Sequence, residues 1–224
     1  MNLYDLFLKP YESYTTIQII LEAIAATFGI LSVYFSIKKN IWVYPTGIIS
    51  TVISVYLLFM GGFLGDCMIN IYYSAMSIYG WVLWSKNSED HIHVNISKTN
   101  KRQWKISSIL FVVSIILVMI VYYFKPIIED LFVINKKNSS LLGFGHMHWS
   151  NWVDVFTTSI FLVGMWLMAE RKLENWIFWI IGDIISVPML HSRGFNMLAL
   201  QYFIFTIMAF KGYFEWKNSF RNSN

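Results

Sequence analysis

IWVYPTGIISTVISVYLLFMGGFLG, residues 41–65, carries no charged side chain. A helix needs roughly 20 mostly apolar residues to cross a bilayer, and this run supplies them. The rest of the chain agrees. Of 224 residues, 56% are hydrophobic, 18% aromatic and 13% charged, whereas a soluble domain carries about 25% charged residues. The chain reads as an integral membrane protein with little length left for a soluble domain.

Working outward from that stretch, seven segments qualify as spans: about 16–37, 41–61, 63–84, 105–124, 153–169, 175–191 and 195–214. The predicted fold class is all-α, with seven transmembrane helices. The fifth and sixth spans are short and interrupted by Asp154 and Asp183. Residues 1–15 read as an N-terminal interfacial segment, with Leu3, Phe7 and Leu8 apolar and Pro10 stopping the run. Polar connectors fall near 85–104 and 125–152, and the second should pack over the bundle. Residues 218–224 form a tail. No basic n-region or small-residue cleavage site opens the chain, so no cleaved signal peptide is expected.

Lysine and arginine set the orientation. Twelve of the 17 fall on the face that holds the C-terminus and the 38–40, 85–105 and 170–174 loops, against five on the other. The positive-inside rule then puts the C-terminus in the cytoplasm and the N-terminus outside. The formal charge of +4 reflects this split and does not point to nucleic acid.

The two ends of the chain repeat each other. An ungapped shift of 132 residues pairs Glu22 with Asp154, Ser54 with Ser186, Phe63 with Phe195, Gly80 with Gly212 and Trp84 with Trp216. It superposes spans one, two and three on five, six and seven, and leaves span four as a linker. The layout is 3+1+3: a first repeat over 16–84, a linker with span four over 85–152, and a second repeat over 153–217. Three spans plus one is even, so the repeats run parallel, and a solute site is expected near mid-membrane between them.

Asp183 is an acid placed where lipid would normally be, and such a carboxylate marks a ligand or ion path by default. Trp176, Trp179 and Asp183 are spaced i, i+3, i+7, on one helical stripe. A flat aromatic face beside a carboxylate suits a flat, hydroxyl-bearing, cationic molecule. The alternative is an interfacial Trp pair with Asp183 bonded to a neighbouring helix. Asp66, Asn70 and Tyr73 form a second stripe, and span seven carries Gln201 and Tyr202; Asp183, Gln201, Asn70 and Tyr73 sit at comparable depths, with Asp66 shallower near the outer mouth. These eight residues are the candidate substrate site. Glu22 and Asp154 read as gating or structural acids. Trp42, Trp84, Trp104 and Trp216 fall at segment ends and read as interface anchors. Pro45 and Gly47, and Gly182 and Pro188, interrupt spans two and six and could supply bends.

One cysteine, Cys67, excludes an internal disulfide. His146 and His148 stand near Trp149 without a cluster of acids, so no metal site is expected. No phosphate-binding glycine loop appears, which argues against a nucleotide-driven pump. No cofactor and no enzymatic activity are expected. A retinal protein would need a desolvated mid-helix lysine. Lys211 lies near a helix end, four residues from Glu215. A membrane enzyme using the two histidines and the outer acids is the other alternative.

Over residues 16–217, the 3+1+3 layout, the Trp176–Trp179–Asp183 motif, Gln201–Tyr202 and the paired Gly80–Trp84 and Gly212–Trp216 ends resemble the PnuC family of bacterial nicotinamide riboside transporters. The resemblance implies the fold of the SWEET sugar transporters and a homotrimer in the bacterial inner membrane. It implies uptake of nicotinamide riboside by facilitated diffusion, with trapping by a cytoplasmic riboside kinase. It also implies substrate binding by Trp176, Trp179 and Asp183. Other solutes of the same fold, such as thiamine, riboflavin or a sugar, stay open.

Overall fold

The computed structural model describes residues 12, 14–60, 64–86, 94–132 and 142–222, with backbone alone at 64–66 and 128–132. It contains α1 (Thr16–Ile37), α2 (Val43–Met60), α3 (Leu64–Ser85), α4 (Lys101–Phe132), α5 (Trp149–Ala169), α6 (Asn175–Ser192) and α7 (Asn196–Asn222). No β-sheet forms among the described residues; the only pairing is by isolated bridges of an extended linker strand through Val94 and Ser97. By length and composition, α1, α2, α4, α5 and α7 are apolar enough to cross a membrane. α3 and α6 fall short, and these two helices carry Asn70, Tyr73 and Asp183. The interfacial segment proposed for residues 1–15 lies almost wholly outside the described residues.

Capping residues set several boundaries. Thr15 and Gln18 bond each other's backbone at the start of α1, so the side chains supply acceptors that the first turn lacks. Asn100 and Gln103 do the same for α4. This cap starts α4 at Lys101, ahead of the apolar run expected from residue 105. α7 likewise continues past residue 214, because a helix carrying Glu215, Lys217 and Arg221 can leave the bilayer without ending.

The helices pack as a ring. α2 touches α1 and α3, α6 touches α5 and α7, α3 touches α5, and α1 touches α7. α4 lies outside the ring, mainly against α5. α2 runs through Pro45 and Gly47, and α6 through Gly182 and Pro188. A Cβ at Gly182 would strike the Phe161 ring. That glycine therefore serves close packing of α6 on α5.

Positions 132 apart behave alike. The α1–α2 and α5–α6 turns pass through Lys39 at φ 56° and Arg171 at φ 58°, the left-handed region that costs an L-residue energy. The Lys39 N–H donates to Ser36 and the Arg171 N–H to Met168, both at 2.9 Å. A linker strand ties the two turns together. Its Val94 N–H donates to the Lys39 carbonyl at 3.2 Å, and its Ser97 N–H to the Arg171 carbonyl at 3.1 Å. Lys172 Nζ donates to Ser97 Oγ at 2.7 Å. Burial there holds this ammonium below the ordinary lysine value.

The main core lies at this basic end, where most of the lysines and arginines fall. It includes Ile37, Tyr44, Trp84, Val94, Met168, Trp176 and Trp216. Trp84 and Trp216 are 0% exposed, so they are not interface anchors. Trp84 Nε1–H donates to the carbonyls of Met168 and Ala169 at 3.3 and 3.1 Å. Trp216 Nε1–H donates to the Ser36 carbonyl at 2.8 Å. Each indole thus crosses to the other half and satisfies carbonyls near a helix end, where the helix itself supplies no donor. Trp42 and Trp104 are exposed, as anchors should be.

Candidate functional site

Asp183 projects from the middle of α6 and is 3% exposed. No described residue donates a hydrogen bond to it. A buried carboxylate is costly unless its oxygens find donors or a cation. The Tyr73 hydroxyl of α3 lies within the electrostatic influence of Tyr202, Asp183 and Asp154.

Aromatic rings line the same region. Trp179 stacks on Phe161, with ring centres 5.5 Å apart and planes at 27°. Phe161 also meets Tyr202 at 5.9 Å, and Tyr202 meets Phe205 at 6.2 Å. Trp179 remains half-buried, and the fused edge of its indole lies against Gly164 of α5, where a Cβ would sit 3.5 Å away. The Gln201 carboxamide reaches α1, with Nε2 3.8 Å from where a Cβ on Gly29 would stand. Phe161 and Gly29 were not singled out from sequence. The signal was present, because the 132-residue shift aligns these two positions, one large and one absent side chain.

The other candidates divide. Asn70 lies one turn before Tyr73 on α3 and is half-buried. Asp66 belongs to α3, and its side chain lies outside the described residues. Trp176 is brought elsewhere: it is 2% exposed at the basic end, 5.5 Å edge-on to Trp216 and seated on Gly212. Asp154 accepts a short hydrogen bond from the Tyr122 hydroxyl, which ties α5 to α4. Glu22 is half-buried near the start of α1. His146 and His148 are exposed. No group of three metal-ligating side chains occurs among the described residues. The connector does pack down, with Phe144 5.6 Å from Tyr123 and 5.8 Å from Trp152.

A ring of helices, most of them long and apolar enough to cross a membrane, with a buried carboxylate, tyrosines and a carboxamide, defines a multi-pass membrane transporter for a small polar solute. The comparisons with known proteins agree. The family described as nicotinamide mononucleotide transporter matches residues 19–218, and the chain belongs to it. It is 24% identical over 215 residues to the nicotinamide riboside transporter PnuC of Escherichia coli strain K12, covering 90% of this chain and 86% of the relative. It is 17% identical over 195 residues to the riboflavin/roseoflavin transporter RibM of Streptomyces davaonensis, covering 87% and 83%. The crystal structure of the vitamin B3 transporter PnuC superposes with a TM-score of 0.65 at 23% identity, over 93% of this chain and 88% of that one.

Proposed function

We propose that this protein takes up nicotinamide riboside across the bacterial inner membrane. The observation that carries the reading is Asp183, a buried carboxylate to which no described residue donates, on the helix whose Trp179 stacks with Phe161 beside Tyr202. Nicotinamide riboside has a cationic pyridinium ring and a ribose diol. An aromatic face attracts the ring by about 0.5–2 kcal/mol. The carboxylate and the Gln201 carboxamide can bond the hydroxyls and the amide. Asn70, Tyr73, Tyr202 and Asp66 complete the lining. Trp176 supports the site from behind, through Gly212 and Trp216. Glu22 and Asp154 brace the outer ends of α1 and α5.

The scaffold of this reading is a pair of parallel three-helix repeats, 16–84 and 153–217, joined by α4. The halves rock about the central site, with the C-terminus cytoplasmic and the N-terminus outside. An inside-negative potential favours cation entry by about 2.3 kcal/mol per 100 mV, so inward flow needs no coupling ion. Phosphorylation by a cytoplasmic kinase would trap the riboside, and three copies would assemble as a homotrimer. No catalytic step is assigned to the chain itself. The relation to RibM favours one second reading, a riboflavin-like solute with a larger flat ring.

Counterflow in proteoliposomes tests the proposal. Labelled nicotinamide riboside should exchange with or without a proton gradient, and excess riboflavin should not compete. Exchange of riboflavin alone would replace the first reading with the second. A C-terminal reporter active only in the periplasm would reverse the orientation.

A further inference from the structure

Two contacts join residues that are 132 positions apart. Ser36 Oγ lies 3.5 Å from Met168 Sδ, and the Trp84 and Trp216 rings lie 6.3 Å apart. An operation that exchanges the two halves swaps the members of each pair. A residue can touch its own image only where the axis of that operation runs. We infer that the axis leaves the ring at the basic end through Ser36, Met168, Trp84 and Trp216, and that these four side chains form a gate closing the solute path there. The inference rests on the transport reading above, because a gate requires a path.

Burial and bonding support it. None of the four is more than 7% exposed. Val94 joins the same core, and Ile96 packs against it, so the linker strand covers the plug. The two indole N–H groups donate between halves in opposite directions, from α3 to the end of α5 and from α7 to the end of α1. Separating the halves at this end breaks these bonds and leaves buried donors unpaired until water enters. The opposite end is built differently. Among the described residues its buried cluster is Met189, Leu190 and Ala199 alone. The structure therefore holds the basic end shut, and the indole bonds act as its latch.

The test uses the full chain with Cys67→Ser and Ser36→Cys, reconstituted in lipid nanodiscs. Adding Trp84→Phe and Trp216→Phe keeps an aromatic ring at each position and removes both N–H donors. Maleimide labelling of the introduced thiol should then speed up by about tenfold, the shift in open population expected from losing two ordinary hydrogen bonds. An unchanged labelling rate overturns the gate. A second variant, Ser36→Cys with Met168→Cys on Cys67→Ser, joins the two image positions directly. Oxidation should stop counterflow reversibly, while affinity for nicotinamide riboside stays within about twofold. Counterflow through the cross-linked protein, or thiols that do not join, overturns the axis placement. If the reduced protein carries no nicotinamide riboside at all, the substrate reading fails, and the labelling result still decides the gate.

Discussion

Where the first half of the ring has Thr51, the second has Asp183. Thr51 is satisfied inside its own half: its hydroxyl lies 2.7 Å from that of Ser74 and donates to the Gly47 carbonyl at 3.0 Å. No described residue bonds Asp183 in that way. One turn away, Gly47 stands where the second half has Trp179, and Gly29 stands where it has Phe161. Toward the basic end the halves agree instead. Tyr44 meets Trp84 edge-on at 5.1 Å and Gly80 seats its ring, just as Trp176 meets Trp216 at 5.5 Å over Gly212. The lesson is spatial. The halves match where they grip each other and diverge in the middle, where an asymmetric solute would lie.

The sharpest way to break this contrast is to remove the two polar groups separately. Asp183→Ala should lower nicotinamide riboside uptake by about tenfold to a hundredfold, the range for losing a charged hydrogen bond. Thr51→Ala should lower it by less than about threefold, since that hydroxyl is satisfied locally. Uptake rates normalised to protein in the membrane decide. Equal losses would erase the distinction between scaffold and site.

A smaller effect tests the symmetric end. Gly80→Ala and Gly212→Ala each push a methyl group into a buried ring, which costs about 1–3 kcal/mol in a packed core. The two should lower the thermal midpoint of the purified protein by similar amounts. A drop in only one would mean that the register match is not a packing match.

The smallest expected difference concerns Trp179. Phe should keep part of the affinity for nicotinamide riboside, and Leu should lose about 1 kcal/mol more, several-fold in Kd. The gap should shrink for an uncharged reduced analogue, which keeps the shape and loses the cation. Identical binding by both variants would make Trp179 a packing partner of Phe161 alone.

Much of the frame was legible in the sequence, because a lipid-crossing helix must be apolar for its whole length. Span boundaries at 16, 37 and 175 agree with the helices. Those of α4 and α7 do not, since apolarity marks the bilayer and not the helix, and polar caps or charged turns carry a helix beyond it. Trp84 and Trp216 were misread for a related reason. A tryptophan at a span end looks the same whether it faces headgroups or another helix end. Only their 132-residue spacing, shared with Ser36 and Met168, carried the distinction. At the site, Asp183 stood out by charge. Phe161 did not, because one apolar residue among many carries no mark until its neighbours are known.

The linker strand has a consequence that is mechanical. It grips the Lys39 carbonyl with the Val94 N–H and the Arg171 carbonyl with the Ser97 N–H. Three residues of extended chain reach at most roughly 10 Å. The two turns therefore share a leash of that length at the basic end. Under the transport reading, it sets how far the halves can part there when the gate opens.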